Sequence, residues 1–451
     1  MKPRKFVTIA LIVLSTQLFA KCVDAWPKVV RADSSATITM QFEEEDLKQP
    51  DKLKLLYYND DGIRADGKPF QYATPEIIPF EIKGNTIVAT TKFPSETRHT
   101  LKLVNNENNT VADVKLYSLK PDYFALRPFK GNMHMHSKYS DGVDKTGSIM
   151  VATCRKVGQD FAIETDHNNY AGSQEAVSTF ATFPTDMVTY HGEEVHGPGN
   201  GTHILSLGAT EGMGEWFKQH RAEYDATVKE ALAKLPADIL PKGMNAWFVA
   251  SSHVIWDRIR AKGGLAVYAH PYWRPNYRQY IPKPISDYFL SELYCDAIEV
   301  VNGGSSENTI LHYQGLRAQG KKIPLIGTTD AHNSRHLAGA FTLILSESVK
   351  FEDLAANIKK LNSVAVEYVA RTKKHYVHGP KRVSQFALFL LEHYYDLKHD
   401  PFCQEEGEWL LTLAKAKAGE LNDQDAVDKA TKALQEAKGR VPALFDKYWQ
   451  K

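Results

Sequence analysis

Residues Gly131-Asn132-Met133-His134-Met135-His136-Ser137-Lys138-Tyr139-Ser140-Asp141-Gly142 decide how this chain is read. The first six read as a strand, and a spacing of two puts both imidazoles on one face, close enough to share a metal ion. Tyr139-Ser140-Asp141-Gly142 is a turn that can return a carboxylate to the same mouth. Outward from this stretch the same residue types recur where apolar runs end. Phe161 to Thr165 leads into Asp166-His167-Asn168, and Met187 to Tyr190 into His191-Gly192-Glu193-Glu194. Thr202 to Leu207 carries His203, Gly264 to Tyr268 leads into Ala269-His270-Pro271, and Ile323 to Gly327 into Thr328-Thr329-Asp330-Ala331-His332. Ala297 to Val301 and Phe341 to Ser346 are further buried-type runs. Lys145–Val157, Gly172–Phe180, Ile255–Ala261 and Asp353–Leu361 have helical spacing between them. Strands alternating with helices over 122–372 predict a parallel sheet, open or closed into a barrel, whose C-terminal strand ends build the active site.

Composition narrows the function. Of 17 histidines in 451 residues, 12 fall between His134 and His336, so the imidazoles concentrate in this middle region. A net charge of +1 shows no global basic field, so nucleic acid is not expected as the main partner. The 43% hydrophobic and 11% aromatic content excludes a disordered chain. Four cysteines are too few for a disulfide scaffold, and Cys154, Cys295 and Cys403 read as free thiols, the first two in buried apolar settings.

The flanks read differently. Lys2, Arg4 and Lys5 precede the apolar run Phe6 to Ala20, which is too short and polar to span a bilayer, and Val23-Asp24-Ala25 has small residues at −3 and −1. This predicts a signal peptide over 1–25, a mature start at Trp26, and an exported chain, periplasmic or secreted, with no transmembrane span. Lys21 argues against lipoprotein processing at Cys22. Over 26–120, period-two stretches (Ala36 to Phe42, Lys54 to Tyr58, Asn85 to Thr90) separated by turns predict a small β-sandwich. An insertion at 211–249 reads as mainly helical, a lid or rim. Residues 373–451 read as a helical extension, with Phe386, Phe389, Leu390 and Tyr394 at core spacing and Asn422 capping a helix to Gly439.

Imidazoles mixed with carboxylates suit Zn, Mn or Fe rather than Ca or Mg. Nine candidates, His134, His136, Asp141, His167, Glu194, His203, His270, Asp330 and His332, exceed the needs of one ion and imply two or three. Glu193 and Glu194 face opposite ways on a strand, so only one points inward, the other being a surface or supporting residue. His196 shares a face with Glu194 and competes with His203, which the Pro198-Gly199-Asn200-Gly201 turn could fold back beside Glu194. Asp166 and Asn168 read as supports for the ligands; His191, His253 and His336 read as structural first and substrate-facing second. Divalent ions that bring a bound water to a pKa of about 7 make hydrolysis the reaction type. No Gly-rich phosphate loop or Gly-x-Ser-x-Gly elbow is present, which gives no support to ATP use or a serine nucleophile. Arg274 and Arg335 could clamp an anionic substrate, and Tyr272 and Trp273 could stack on a ring or cover the mouth.

The whole motif series resembles the PHP (polymerase and histidinol phosphatase) superfamily, most closely its stand-alone metal-dependent phosphoesterases. The order of leader, β-domain and PHP domain is similar to exported members related to the CehA/McbA metallohydrolases. The resemblance implies an α/β fold, a distorted (βα)7 TIM-like barrel over 122–372, between the β-sandwich and the helical extension. The family's Gly-x-Glu pattern favours Glu194. It further implies one ion on His134, His136, Glu194 and Asp330, a second on Glu194, His203 and His270, and a third on Asp141, His167 and His332. Asp330, Glu194 and His270 are expected to be catalytic. The substrate implied is a small organic phosphoester. The alternatives are a carboxylic or carbamic ester, or a non-catalytic binding protein with structural metals.

Overall fold

Alternating side chains in the first 120 residues sort onto two faces of pleated strands. A computed structural model of the protein describes all residues except 1–21, 44–46, 48–51, 70–73, 144, 237–244, 275–280 and 304–305. Strands β1 (Cys22–Trp26), β2 (Val29–Arg31), β3 (Ser34–Phe42), β4 (Leu53–Asn59), β5 (Glu76–Ile78), β6 (Glu81–Lys83), β7 (Thr86–Phe93), β8 (Arg98–Asn105) and β9 (Thr110–Leu119) form two sheets. Their orders are β1-β3-β7-β6 and β2-β9-β8-β4-β5. Ile38, Met40, Ile87 and Phe93 from the first sheet and Leu55, Leu101, Leu103 and Leu116 from the second share one buried cluster, which makes the unit a sandwich. Within it His99 is fully buried, with Nδ1 2.9 Å from the Tyr57 hydroxyl and Nε2 2.6 Å from Ser118 Oγ.

Most of the expected leader lies outside the described residues, but its boundary at Ala25 falls inside β1, where Ala25 is buried and pairs with Met40. Residues 447–451 belong to this unit rather than to a helical tail. Val29 bridges Trp449, and Asp24 accepts from Lys447 Nζ at 2.6 Å and from the Tyr448 hydroxyl at 2.9 Å.

The second unit, 121–446, carries β10 (Arg127–Asn132), β11 (Phe161–Ile163), β12 (Val188–Tyr190), β13 (Gly192–His196), β14 (His203–Leu207), β15 (Leu265–Tyr268), β16 (Ala297–Val301), β17 (Leu325–Gly327), β18 (Ala340–Ser346), β19 (Ser363–Val369) and β20 (Lys374–His378). Their orders are β12-β11-β10-β18-β19-β20 and β13-β14-β15-β16-β17. The α/β class holds, but the sheets are mixed. β10, β11 and β12 run parallel, as do β15, β16 and β17. β13-β14 and β19-β20 are antiparallel hairpins whose connections are too short for a parallel crossover, and β18-β19 is antiparallel across helix Phe351–Lys359.

Helices such as Gly147–Lys156, Ala171–Phe180, Lys283–Glu292 and Glu307–Ala318 fill the crossovers. The first starts where the Thr146 side chain accepts from Ile149 N, and it ends with Arg155 and Lys156 at its negative pole. Helix Ala246–Ala261 starts nine residues before the expected Ile255, because Asn245 caps it by accepting from Trp247 N. Within the expected insertion, Met213–Gln219 and Arg221–Lys234 are helical. The extension expected from 373 opens instead as β20, paired with β19 across a turn at Lys373 (φ 52°). It is helical over Lys381–Leu390, Leu391–His399 (a π-helix), Asp400–Lys417, Gln424–Ala437 and Arg440–Tyr448. Asp423, not Asn422, caps the helix at 424, since its side chain accepts from Ala426 N. Cys154, Cys295 and Cys403 are free and buried. Among the described residues no helix is long and apolar enough to cross a membrane.

Candidate metal centre

Strand β10 ends at Asn132, so His134 and His136 lie just beyond it rather than within it. The segment stays extended because it is held on both sides. Asp330 N donates to His134 O at 3.0 Å, His136 N to Ala331 O at 2.9 Å, and Thr165 N to Met135 O at 2.9 Å. Alternation survives the end of the ladder: Met133 and Met135 go into the core while both imidazoles meet one carboxylate.

That carboxylate is Glu194, fully buried on β13. Its Oε2 lies 3.1 Å from His134 Nε2, 3.2 Å from His136 Nε2 and 3.0 Å from His167 Nδ1. Its Oε1 lies 2.7 Å from His203 Nδ1 and 2.8 Å from His270 Nε2. The β13–β14 hairpin sets His196 opposite His203, with Gly199 (φ 71°) in its turn, and so returns His203 to Glu194. Asp330 Oδ1 reaches His136 Nε2 at 3.1 Å and His134 Nε2 at 3.3 Å. Asp141 Oδ1 lies 3.3 Å from His332 Nε2 and 3.5 Å from His167 Nε2. His270 (φ 23°) and Asp330 (φ 50°) both hold left-handed backbone, which disfavours side-chain-bearing residues and clusters at functional sites.

All nine expected residues therefore meet. They fall into groups whose donor atoms lie within 4.8 Å of one another: His134, His136, Glu194 and Asp330; Glu194, His203 and His270; and His136, Asp141, His167 and His332. Apart from the partly exposed Asp330 the first two groups are buried, whereas the Asp141 and His332 side chains of the third are 57% and 39% exposed at the mouth. His196 joins His167 and Glu194 in a fourth overlapping group and stacks on His203 at 3.7 Å between ring centroids.

The donor set fits divalent cations. His134 Nε2 and His167 Nδ1 lie 3.1 and 3.0 Å from Glu194 Oε2, yet all three atoms are buried without a hydrogen bond, so they converge without the alignment a hydrogen bond needs. Burial would lower the His134 pKa, but the Asp330, Glu194 and Glu299 carboxylates outweigh it and hold it well above the ordinary value. Glu194 is held well below the carboxylate range despite its burial, by His134 and His203. His203 is lowered by burial against the pull of Glu194, and burial with neighbouring His203 takes His196 down to about 3. Such a pocket of facing acids and bases suits imidazole–carboxylate metals.

The supports come from both expected and unexpected residues. Asp166 accepts from Ser137 N (2.8 Å) and from the Ser137 and Ser140 hydroxyls (2.5 Å each), and so ties down the loop leading to Asp141. Asn168 bonds His196 N and O at 2.9 and 3.0 Å. Glu193 is not at the surface: it is fully buried and accepts from Met213 N and Gly214 N, because the first turn of helix Met213–Gln219 faces it. Glu299 was missed. Its Oε1 accepts from His134 Nδ1 at 2.8 Å and from the Thr328 hydroxyl, and its Oε2 from His270 N at 2.5 Å. A lone acid inside the apolar run Ala297-Ile298-Glu299-Val300-Val301 was the available signal. Glu164 was missed too; burial and neighbouring Asp166 push its pKa well above the ordinary carboxylate value.

Asp141, His167, Glu194, His203, His270, Asp330 and His332 line a cavity of about 570 Å³ with Phe248 and Trp273, whose ring lies 4.8 Å from His203 and 5.5 Å from His270. Arg274, Arg335 and Tyr272 line a neighbouring cavity of about 820 Å³ instead, and Tyr272 turns its hydroxyl to Asp287 (2.6 Å) and His312 (2.9 Å). His336 also lines that cavity. His191 packs on Tyr170, and His253 stacks on Tyr294 and bonds Glu292, as structural residues do.

A separate group, Asp160, His399 and Cys403, is a filled ionic network. His399 bridges Asp160 and Asp400 at 2.8 Å each, Lys130 pairs with Asp400 at 2.7 Å, and Arg155 links Asp160 to Glu406. Three cations face three carboxylates there, and the donors are already used.

No family profile and no curated protein matches the chain. Among solved structures it is similar to a two-domain Bacteroides vulgatus protein described as containing a PHP-like metal-dependent phosphoesterase, with 14% identity over 53% of this chain and TM-score 0.35. The match spans 65% of that protein's length. A Bifidobacterium adolescentis protein described as a metal-dependent phosphoesterase shares 18% identity over 45% of this chain and 87% of its own, TM-score 0.31. The lesion-specific endonuclease of Pyrococcus furiosus shares 14% over 70% and 91%, TM-score 0.34. With TM-scores this low, none of these likenesses identifies the chain.

Proposed function

We propose that the chain is an exported metal-dependent hydrolase of the PHP kind, built on the family's distorted barrel, and that it cleaves a phosphoester of a small organic alcohol. The observation that carries this reading is the sharing of Glu194: one buried carboxylate belongs to overlapping His/Asp/Glu groups, each with residues that line a single cavity. Two or three transition ions (zinc, manganese or iron) held by these groups would supply Lewis-acid charge and an acidified water.

The chain's own residues do the rest. Glu194 and Asp330 draw His134 and His136 together on one side, and Glu194 gathers His203 and His270 on the other. Glu299 fixes which nitrogen of His134 faces Glu194 and Asp330, because its carboxylate can only accept and so takes the Nδ1 proton. Trp273 covers His203 and His270 and keeps bulk water off that wall. The more exposed pair Asp141 and His332 stands where substrate enters.

The test is hydrolysis of an aryl phosphate and an aryl acetate by metal-loaded protein, beside His134→Ala. Turnover of the phosphate, lost in the variant together with bound metal, is expected. Turnover of the acetate alone would replace this reading by carboxylic or carbamic ester hydrolysis. Bound metal with no turnover would leave a binding protein, and less than one equivalent of transition metal per chain would sink the metal centre.

A further inference from the structure

The charges around the centre are unevenly placed. The metal cavity is lined by histidines, Asp141, Glu194 and Asp330, and among the described residues no Lys or Arg lines it. The neighbouring cavity of about 820 Å³ holds the cationic side chains, Arg274 and Arg335, beside Tyr272, Trp273, Tyr368 and Asn308. His270, Trp273 and Asp330 line both cavities, so the two adjoin there. Arg335 has no carboxylate partner among the described residues. Its Nε donates only to Asn333 Oδ1 at 3.4 Å, and the same oxygen accepts Arg335 N at 3.0 Å, which fixes the turn that presents it.

We infer that the second cavity receives the leaving group of the substrate, a ring-bearing alcohol with an anionic group of its own that Arg335 reads. This rests on the phosphoesterase reading and adds a substrate class to it. In the reaction, water oxygen bonds to phosphorus and the bond from phosphorus to the ring oxygen breaks. The proton released by water goes to the departing alcohol, which stays in the aromatic cavity until it diffuses out. Aromatic faces favour a planar ring, and a guanidinium favours a planar anion such as a carboxylate.

The experiment compares phenyl phosphate with 4-carboxyphenyl phosphate on the metal-loaded full chain, wild type, Arg335→Gln and Arg335→Lys. It also measures binding of phenylphosphonate and 4-carboxyphenylphosphonate by calorimetry. Wild type should prefer the carboxylated ester at least tenfold in kcat/KM, with the difference mostly in KM. Arg335→Gln should bring the ratio near one, and Arg335→Lys should restore part of it. Hydrolysis of both esters with no preference, or a preference that Arg335→Gln leaves intact, overturns the inference and leaves the phosphoesterase reading standing. No hydrolysis, with Arg335-dependent tighter binding of the carboxylated phosphonate, upholds the cavity and overturns the phosphoesterase reading. No hydrolysis and equal binding overturns both.

Discussion

Glu299→Gln tests how far the centre depends on a residue that touches none of its cavity. The carboxylate accepts three hydrogen bonds: from His134 Nδ1, from the Thr328 hydroxyl and from His270 N. A glutamine of the same shape has one oxygen. If that oxygen stays with His134, an amide N–H faces His270 N; if it turns to His270, the N–H faces His134. Either way one buried charge-assisted bond is lost and two donors are opposed, a cost of about 1.5–3 kcal/mol. If the loss falls on the liganded form, it weakens metal binding by roughly 10- to 100-fold, the usual range for such outer partners. Competition against a chromophoric chelator reads the affinity, and denaturant unfolding of the metal-free protein separates it from lost stability. A metal Kd within twofold of wild type would show that His134 needs no orienting partner, and the account of Glu299 would be wrong.

Three further expectations concern other parts of the fold. Burial takes the His99 pKa down to about 3 from 6.5, so the folded β-domain holds fewer protons than the unfolded chain between those values. Stability should therefore fall as pH drops below 6.5, at up to about 1.4 kcal/mol per unit from this residue; chemical unfolding of His99→Asn should show a slope shallower by about one proton, and equal slopes would refute it. Asp160→Asn leaves His399 and Arg155 short of a buried counter-charge and should cost about 3–5 kcal/mol. Cys403→Ser should leave metal content unchanged by elemental analysis, and a drop of one equivalent would mean that this network holds an ion.

Much of the centre could be read from local pattern. His134 and His136 are polar residues in a run of buried methionines, and His270 and Asp330 follow short apolar strands, so spacing alone puts them at strand ends. Their convergence on Glu194 depends on pairings between distant segments, such as Met135 with Ala331 and His167 with Glu194, which no window of sequence contains. Glu299 escaped notice for the same reason: its partners lie 165 and 29 residues away. Strand direction was also non-local. The Pro198–Gly201 turn marked a hairpin, but nothing near Ala340 signals that β18 runs against β10. At the far end, Lys374–His378 carries the strand formers Tyr376 and Val377 and pairs with the open edge of β19, where a helical extension was expected.

The small ladder around β2 sets an order of events during synthesis. Val29 O accepts from Gln450 N, Lys28 N donates to Tyr448 O, and Arg31 N donates to the Gln450 side chain. The first domain to leave the ribosome therefore lacks part of its own edge until the whole of 121–446 has been translated. Nascent chains stalled before residue 447 would display β2 with unmet backbone groups, the condition under which strands recruit a neighbour's. Vectorial folding thus closes the N-terminal domain last, and a truncation of a few C-terminal residues would be felt there first.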